Sequence, residues 1–363
     1  MKAIISGGGT GGHIFPAIAI ANALKKQDPT TEILFVGANG RMEMEKVPQA
    51  GYEIKGLNIA GFQRGSIIRN LALPFKLAGS MLSAINIVHS FKPDVAIGVG
   101  GYASGPLLRA ASLLGVPTVI QEQNSFAGVT NKILARNAKV ICTAYEGMEK
   151  IFPKDKIVLT GNPVRENITR VQQVNRAEAC RYFKLDETKP VILIIGGSLG
   201  AKTLNKSVEA AVERIKDSGV QILWQTGKIY FDECSKVANG VATLHATMFI
   251  DRMDFAYACA DVIISRAGAL SISELQIVGK PVILVPSPNV SEDHQTHNAM
   301  ALVNKGAAIM IKDDEAKPNL IGAAYDLLDN ADMRKKLGDN IKKMAIADAS
   351  DRIVAEIIRV AKA

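Results

Sequence analysis

The chain has 363 residues, 48% hydrophobic and 21% charged, a globular make-up that excludes a disordered chain. Its length favours two domains, because single cores seldom grow beyond about 250–300 residues. A formal charge of +8 suits an anionic partner, but no dense Lys/Arg block stands out and aromatics are only 5%, which argues against nucleic acid.

Taken from the start, Met1-Lys2 leads straight into an apolar strand, Ala3-Ile4-Ile5, with no signal-peptide pattern. The glycine run Gly7-Gly8-Gly9-Thr10-Gly11-Gly12 follows, then a helix from about Ile14 with Ile14, Ile18 and Ala21 on one face. Ile33–Val36 reads as the second strand. Asp94–Ile97 precedes Gly98, Gly100 and Gly101 and an apolar helix, Leu107–Leu114, which ends at Gly115-Val116-Pro117; Thr118–Ile120 is the next strand.

The pattern restarts at Val191–Ile195, which runs into Gly196-Gly197-Ser198-Leu199-Gly200 and a helix carrying Leu204, Val208, Ala211 and Ile215. Gln221–Trp224, Val262–Ile264 and Val282–Val285 are further strands, and the last sixty residues read as helical. Short apolar strands between helices predict parallel sheets covered on both faces. The expected fold is α/β, with two doubly wound domains facing across a cleft. The boundary falls near Gly161-Asn162-Pro163, giving domains 1–163 and 164–345, with 164–190 as a linker and entering helix. No stretch approaches the ~20 apolar residues of a spanning helix. The cysteines Cys142, Cys180, Cys234 and Cys259 are scattered, without a C-x-x-C, and imply a reducing compartment.

Ligands of open α/β sheets bind beyond the carboxyl ends of the strands, so the glycine turns should line the site. Gly7, Gly9 and Gly12 match the dinucleotide fingerprint, but Gly37-Ala38-Asn39 ends the second strand without the acid that a ribose needs there, which opposes NAD. No P-loop Gly-Lys-Ser/Thr is present. Each glycine turn alone is as well explained by a tight connection; three together favour a shared anionic ligand.

His13 stands where a helix begins; the dipole there disfavours imidazolium, so a neutral ring could accept a proton from a hydroxyl nucleophile, or it could simply be structural. Ser265–Glu274 leaves a strand and opens a helix whose first amides can bind a diphosphate. Glu274 could accept from two ribose hydroxyls, or be a solvated helix residue. The polar run Asp293–Asn298 suits sugar hydroxyls; His294 and His297 lack a third ligand, so no zinc site is expected.

Gly9–His13, Gly100–Pro106, Glu122-Gln123-Asn124, Gly161–Arg165, Gly196–Ala201 and Gly268–Glu274 occur in order over nearly the whole chain. This set resembles the MurG family, the glycosyltransferase family 28 enzymes of peptidoglycan synthesis. The resemblance implies a GT-B fold: a first domain that binds the acceptor and faces the membrane, a second that binds UDP, and a C-terminal helix at about 346–363 packing back on the first. It implies an inverting transfer of N-acetylglucosamine from UDP-N-acetylglucosamine to the C4 hydroxyl of a lipid-linked muramoyl pentapeptide, with no required metal or other cofactor. Thr10, Gly11, Gly12 and Asn124 would lie near the donor, with His13 as base. Arg165 and Ser198 would meet the diphosphate, and Ile250 the uracil through its backbone. Ala269, Leu270, Ser271 and Glu274 would hold the diphosphate and ribose, and Gln295 and Asn298 the sugar. Many members carry Lys where His297 stands, and no role is assigned to that side chain.

The lipid acceptor implies a peripheral enzyme on the cytoplasmic face of the inner membrane, among proteins of cell-wall synthesis and cell division. Leu71, Leu73, Phe75 and Lys76 mix apolar and basic character suited to an anionic lipid surface, although a core helix with a solvated face explains the pattern equally well. The alternatives are another UDP-sugar enzyme of this fold, such as a glycolipid glycosyltransferase or a UDP-N-acetylglucosamine 2-epimerase, an NAD-dependent oxidoreductase, and a non-catalytic nucleotide-sugar sensor.

Overall fold

The computed structural model describes residues 1–59 and 73–362, with the side chains of 73–75 and 291 outside that description. The chain divides into two units, Met1–Val164 with Asp348–Ala363, and Arg165–Ala347.

Unit 1 begins β1 (Lys2–Gly7), α1 (Gly11–Gln27), β2 (Glu32–Ala38), α2 (Glu43–Gln49), β3 (Glu53–Leu57), α3 (Leu73–Phe91), β4 (Val95–Gly100) and α4 (Ser104–Leu113). It continues through β5 (Thr118–Glu122), α5 (Val129–Leu134), β6 (Val140–Thr143) and β7 (Ile157–Leu159). The described strands form one sheet in the order β3-β2-β1-β4-β5-β6-β7, every pair parallel. Alternating side chains leave the sheet on opposite faces. Ile4, Leu34, Ala96 and Ile120 pack with Ala84 of α3 and Leu107 of α4, whereas Ala3, Ile5, Val95 and Ile97 pack with Ile14, Ala17 and Ala21 of α1. Both faces are therefore dry, which is why these strands read as unbroken apolar runs.

Unit 2 holds α6 (Glu166–Thr169), α7 (Arg176–Tyr182), β8 (Val191–Ile195), α8 (Lys202–Ala210), α9 (Val212–Asp217), β9 (Gln221–Gln225), α10 (Phe231–Ala238) and β10 (Leu244–Thr247). Then come α11 (Met253–Cys259), β11 (Val262–Ser265), α12 (Ala269–Val278), β12 (Val282–Leu284), α13 (His294–Val303), β13 (Ile309–Met310), α14 (Asp313–Asp329) and α15 (Ala331–Lys342). Its parallel sheet runs β10-β9-β8-β11-β12-β13, the same winding as unit 1. Leu204, Val208 and Ile215 are buried as the spacing predicts, but they sit on two helices, because the chain breaks at Ala211, whose amide bonds Val208 O at 3.1 Å. The last helix, α16 (Ala349–Ala361), belongs to unit 1 and buries Ile353, Val354, Ile357 and Val360 in the cluster that holds α1.

The winding direction reverses between β1 and β4, and again between β8 and β11. Loops at the carboxyl ends of these strand pairs diverge there and leave room for a ligand.

Candidate functional site

In unit 1 the reversal point is built from glycine. Helix α1 starts at Gly11, three residues before the apolar pattern does, so His13 lies inside its first turn with its amide bonded to Thr10 O at 3.1 Å. Thr10 and Gly12 are exposed and Gly11 half-buried, at the end where helix amides lack intrahelical partners. The His13 ring lies against the backbone of Gly100, where a Cβ would stand 2.6 Å from Cδ2. Gly100 has φ +105°, so a side chain there is excluded twice, by conformation and by the ring. Ser104 ties the two strand ends together, its hydroxyl donating to Ser6 O at 3.1 Å and Gly100 O at 3.0 Å.

Beneath the first glycine turn lies Glu43, 1% exposed, which the sequence pattern did not single out. One carboxylate oxygen accepts the Gly9 amide at 2.9 Å, and the other accepts the Ala38 amide at 3.1 Å. The end of β2 thus has an acid beside it after all, delivered from α2 rather than from the strand. Both oxygens are spent on backbone amides, a use opposed to ribose recognition. Gly8 and Gly37 make the space, since a Cβ on either would overlap the Glu43 side chain.

Asn124 follows β5, half-buried, with its amide and its side-chain nitrogen 3.0 and 3.2 Å from Glu122 Oε1. The buried Glu122 also accepts from Gly128 N at 3.2 Å and from Asn131 Nδ2 at 2.9 Å. It shapes the loop that presents Asn124.

In unit 2 the loop after β8 turns at Gly197 and Gly200, both with positive φ, and exposes Ser198. After β11, Gly268 caps α12 in extended conformation, and Ala269, Leu270 and Ser271 form a half-buried first turn without an acidic side chain. The positive end of that helix is therefore not neutralised by its own sequence. One turn on, Glu274 is 8% exposed. Its Oε1 accepts Arg165 Nε at 2.9 Å and Nη2 at 2.8 Å, and its Oε2 accepts the Tyr257 hydroxyl at 3.1 Å. Burial, then the Glu274 charge, push the Tyr257 phenol well above its ordinary range, so it remains a donor. Tyr257 is a second residue that the sequence did not single out: it lies inside α11, where an aromatic reads as core.

Ile250 is buried just after the exposed Met248 and Phe249. Gln295 Oε1 accepts from Ser287 N at 2.9 Å, fixing the segment that enters α13. Asn298 is fully buried, and its Nδ2 donates to Ala267 O at 3.3 Å, which braces the α12 entry loop. Unit 2 thus gathers Arg165, Ala269–Ser271 and Glu274 around one helix start, while Thr10, Gly11, Gly12, His13 and Asn124 stand at the strand ends of unit 1.

Leu71 lies outside the described residues, as do the side chains of Leu73 and Phe75; Lys76 is exposed on α3. No helix among the described residues is long and apolar enough to cross a membrane. Among those residues, too, no three His, Cys, Asp or Glu side chains stand together as metal ligands.

Two doubly wound domains, each with a glycine-lined reversal point, define the architecture shared by nucleotide-sugar enzymes. The chain belongs to glycosyltransferase family 28: residues 3–143 match its N-terminal domain and residues 191–353 its C-terminal domain. It is 56% identical, over 99% of its length and 96% of the relative's, to the UDP-N-acetylglucosamine--N-acetylmuramyl-(pentapeptide) pyrophosphoryl-undecaprenol N-acetylglucosamine transferase of Phocaeicola vulgatus. The protein of that name from Bacteroides fragilis is 54% identical over 100% of this chain and 96% of its own. Among solved structures, the crystal structure of Acinetobacter baumannii MurG superposes with a TM-score of 0.81 at 31% identity, covering 99% of both chains. A UDP-GlcNAc 2-epimerase from Neisseria meningitidis shares the fold at TM-score 0.66 and 16% identity, over 99% of this chain and 100% of its own.

Proposed function

We infer that this protein is a UDP-N-acetylglucosamine-dependent glycosyltransferase of peptidoglycan synthesis, transferring N-acetylglucosamine to the C4 hydroxyl of an undecaprenyl-diphospho-muramoyl pentapeptide. The observation that carries this reading is identity above half, along the whole chain, to relatives with that one activity in their names.

In the mechanism that we propose, unit 2 binds the donor. The unneutralised first turn of α12 and the Arg165 guanidinium receive the diphosphate. Glu274 takes the ribose hydroxyls, backbone groups at Ile250 the uracil, and Ser198 a phosphate oxygen. Gln295 and Asn298 shape the sugar end, one by contact and one by holding Ala267 in place. Unit 1 binds the acceptor, and Thr10, Gly11, Gly12 and Asn124 approach the transferred sugar.

The acceptor O4 attacks the anomeric carbon, forming the new C–O bond as the bond to the β-phosphate oxygen breaks with inversion. His13 takes the O4 proton, and UDP leaves with the bonding electrons. Fixed amides and Arg165 meet the charge as it grows, and preset electrostatics of this kind are commonly the largest catalytic contribution. On this reading the leaving group is neutralised by protein groups, and no metal ion is required.

The lipid tail of the acceptor requires a membrane-facing surface. Leu77 and Leu82 are exposed on α3, as is Lys76, and this exposure supports a peripheral seat on anionic lipid.

The test supplies labelled UDP-N-acetylglucosamine with and without the lipid-linked muramoyl pentapeptide. Label in the lipid fraction, only with acceptor present, is the expected result. Conversion of the donor without acceptor would instead mark a 2-epimerase.

A further inference from the structure

The Gly8–Gly9 peptide is held at both ends. Its N–H donates to Glu43 Oε2 at 2.9 Å, and its carbonyl lies 3.0 Å from His13 Nδ1. A carbonyl oxygen can only accept, so Nδ1 carries the proton in this contact and Nε2 is the basic nitrogen. One rigid peptide plane therefore links a buried carboxylate to the imidazole.

We propose that Glu43 is a positioning residue that acts on His13 through the Gly8–Gly9 peptide, a carboxylate–peptide–imidazole relay that holds the Nδ1–H tautomer. The relay deepens the general-base reading of His13 and rests on it for its catalytic meaning.

The geometry supports the relay in three ways. Gly9 has φ +85°, the left-handed turn that points its amide down to the carboxylate. Gly8 lacks the Cβ that would overlap Oε1, so the carboxylate reaches under the turn. The second oxygen is anchored by the Ala38 amide at 3.1 Å, which fixes the carboxylate plane. A negative charge on the N–H side of a peptide polarises its carbonyl, and hydrogen bonds in such a chain strengthen one another. The Gly8 oxygen becomes a stronger acceptor for Nδ1–H, which orients the ring and favours the proton-accepting state of Nε2. Carboxylates often perform this task by direct contact with a histidine; here a peptide stands between them.

The measurement is the ¹⁵N spectrum of the full chain with labelled histidine, at about pH 8.5, well above the ordinary imidazole value. His13 is assigned by its loss in His13→Gln. The relay requires a protonated Nδ1 and an unprotonated Nε2 in the wild type; the opposite tautomer, seen in the wild type alone, overturns it. In Glu43→Gln, one oxygen must serve two amides, and the NH2 group opposes one of them. With the fold intact by near-ultraviolet circular dichroism, the Nε2–H tautomer should appear and kcat should fall about tenfold to a hundredfold. Donor KM should stay unchanged. An unchanged tautomer and kcat in Glu43→Gln overturn the proposal. Full turnover in His13→Ala would instead remove the general base while leaving the tautomer result intact, so the two readings fail separately.

Discussion

Arg165 grips Glu274 through Nε and Nη2 on a single oxygen, at 2.9 and 2.8 Å, leaving the other oxygen to Tyr257. The two residues to which the diphosphate and the ribose are ascribed thus hold each other. The pairing matters most for Glu274, which is nearly buried and would be costly as a lone ion.

Glu274→Gln should weaken UDP about tenfold or more, since hydrogen bonds to a charged group contribute about 1.5–3 kcal/mol. Calorimetric titration with UDP and with 2′,3′-dideoxy-UDP checks the assignment. The loss should be confined to UDP; equal loss for both nucleotides would place the carboxylate away from the ribose.

Arg165→Ala should affect both binding and stability. The substitution leaves the buried Glu274 carboxylate with the Tyr257 hydroxyl but without its cation, so the melting temperature should also fall, and less in Arg165→Lys, which keeps the charge. Donor KM should rise and kcat fall together, because the guanidinium also meets charge on the leaving UDP. Steady-state kinetics at varied donor test this.

His13→Ala should lower turnover by about 10²–10⁴-fold, the usual share of a positioned base, with UDP affinity unchanged. Gly100→Ala should reproduce much of that loss without removing the imidazole. Its Cβ would stand 2.6 Å from the His13 ring and displace it. Near-normal turnover in His13→Ala would take His13 out of the reaction.

Burial pushes the Lys280 amine down to about 8 from the ordinary value of 10.5, although it donates to Ala258 O at 2.8 Å and to Ala260 O. Its folded pKa is lower than its unfolded one, so between these values the unfolded chain binds more protons. Stability must then rise with pH across that window. Urea unfolding of the wild type relative to Lys280→Met from pH 8 to 10.5 should show the wild type gaining. A flat difference would mean that the amine titrates normally.

Leu77→Ser with Leu82→Ser should reduce sedimentation with anionic vesicles while leaving the melting temperature nearly unchanged, since both side chains are already exposed. Unaltered vesicle binding would move the membrane seat elsewhere.

The α/β class and its parallel sheets were readable because dry strands between two helix layers must be apolar on both faces, as Ile192–Ile195 and Val95–Ile97 are. Among the strands that the pattern missed, Glu53–Leu57 alternates with solvent at a sheet edge, and Ile309–Met310 spans two residues, too few for any period. Glycine marked the turns because a missing Cβ is a local property. What a turn then faces is not local. Glu43 reads as one more charge on a helix, and only the approach of β1, β2 and α2 carries its carboxylate to the amides of Gly9 and Ala38. Tyr257 and Glu274 are likewise seventeen residues apart, on α11 and α12, and meet only in the folded chain. Residue type and spacing announced a nucleotide-sugar fold and its family. Which buried groups hold the reactive ones was decided by tertiary contact, because a carboxylate's partners depend on distances that the order of residues does not contain.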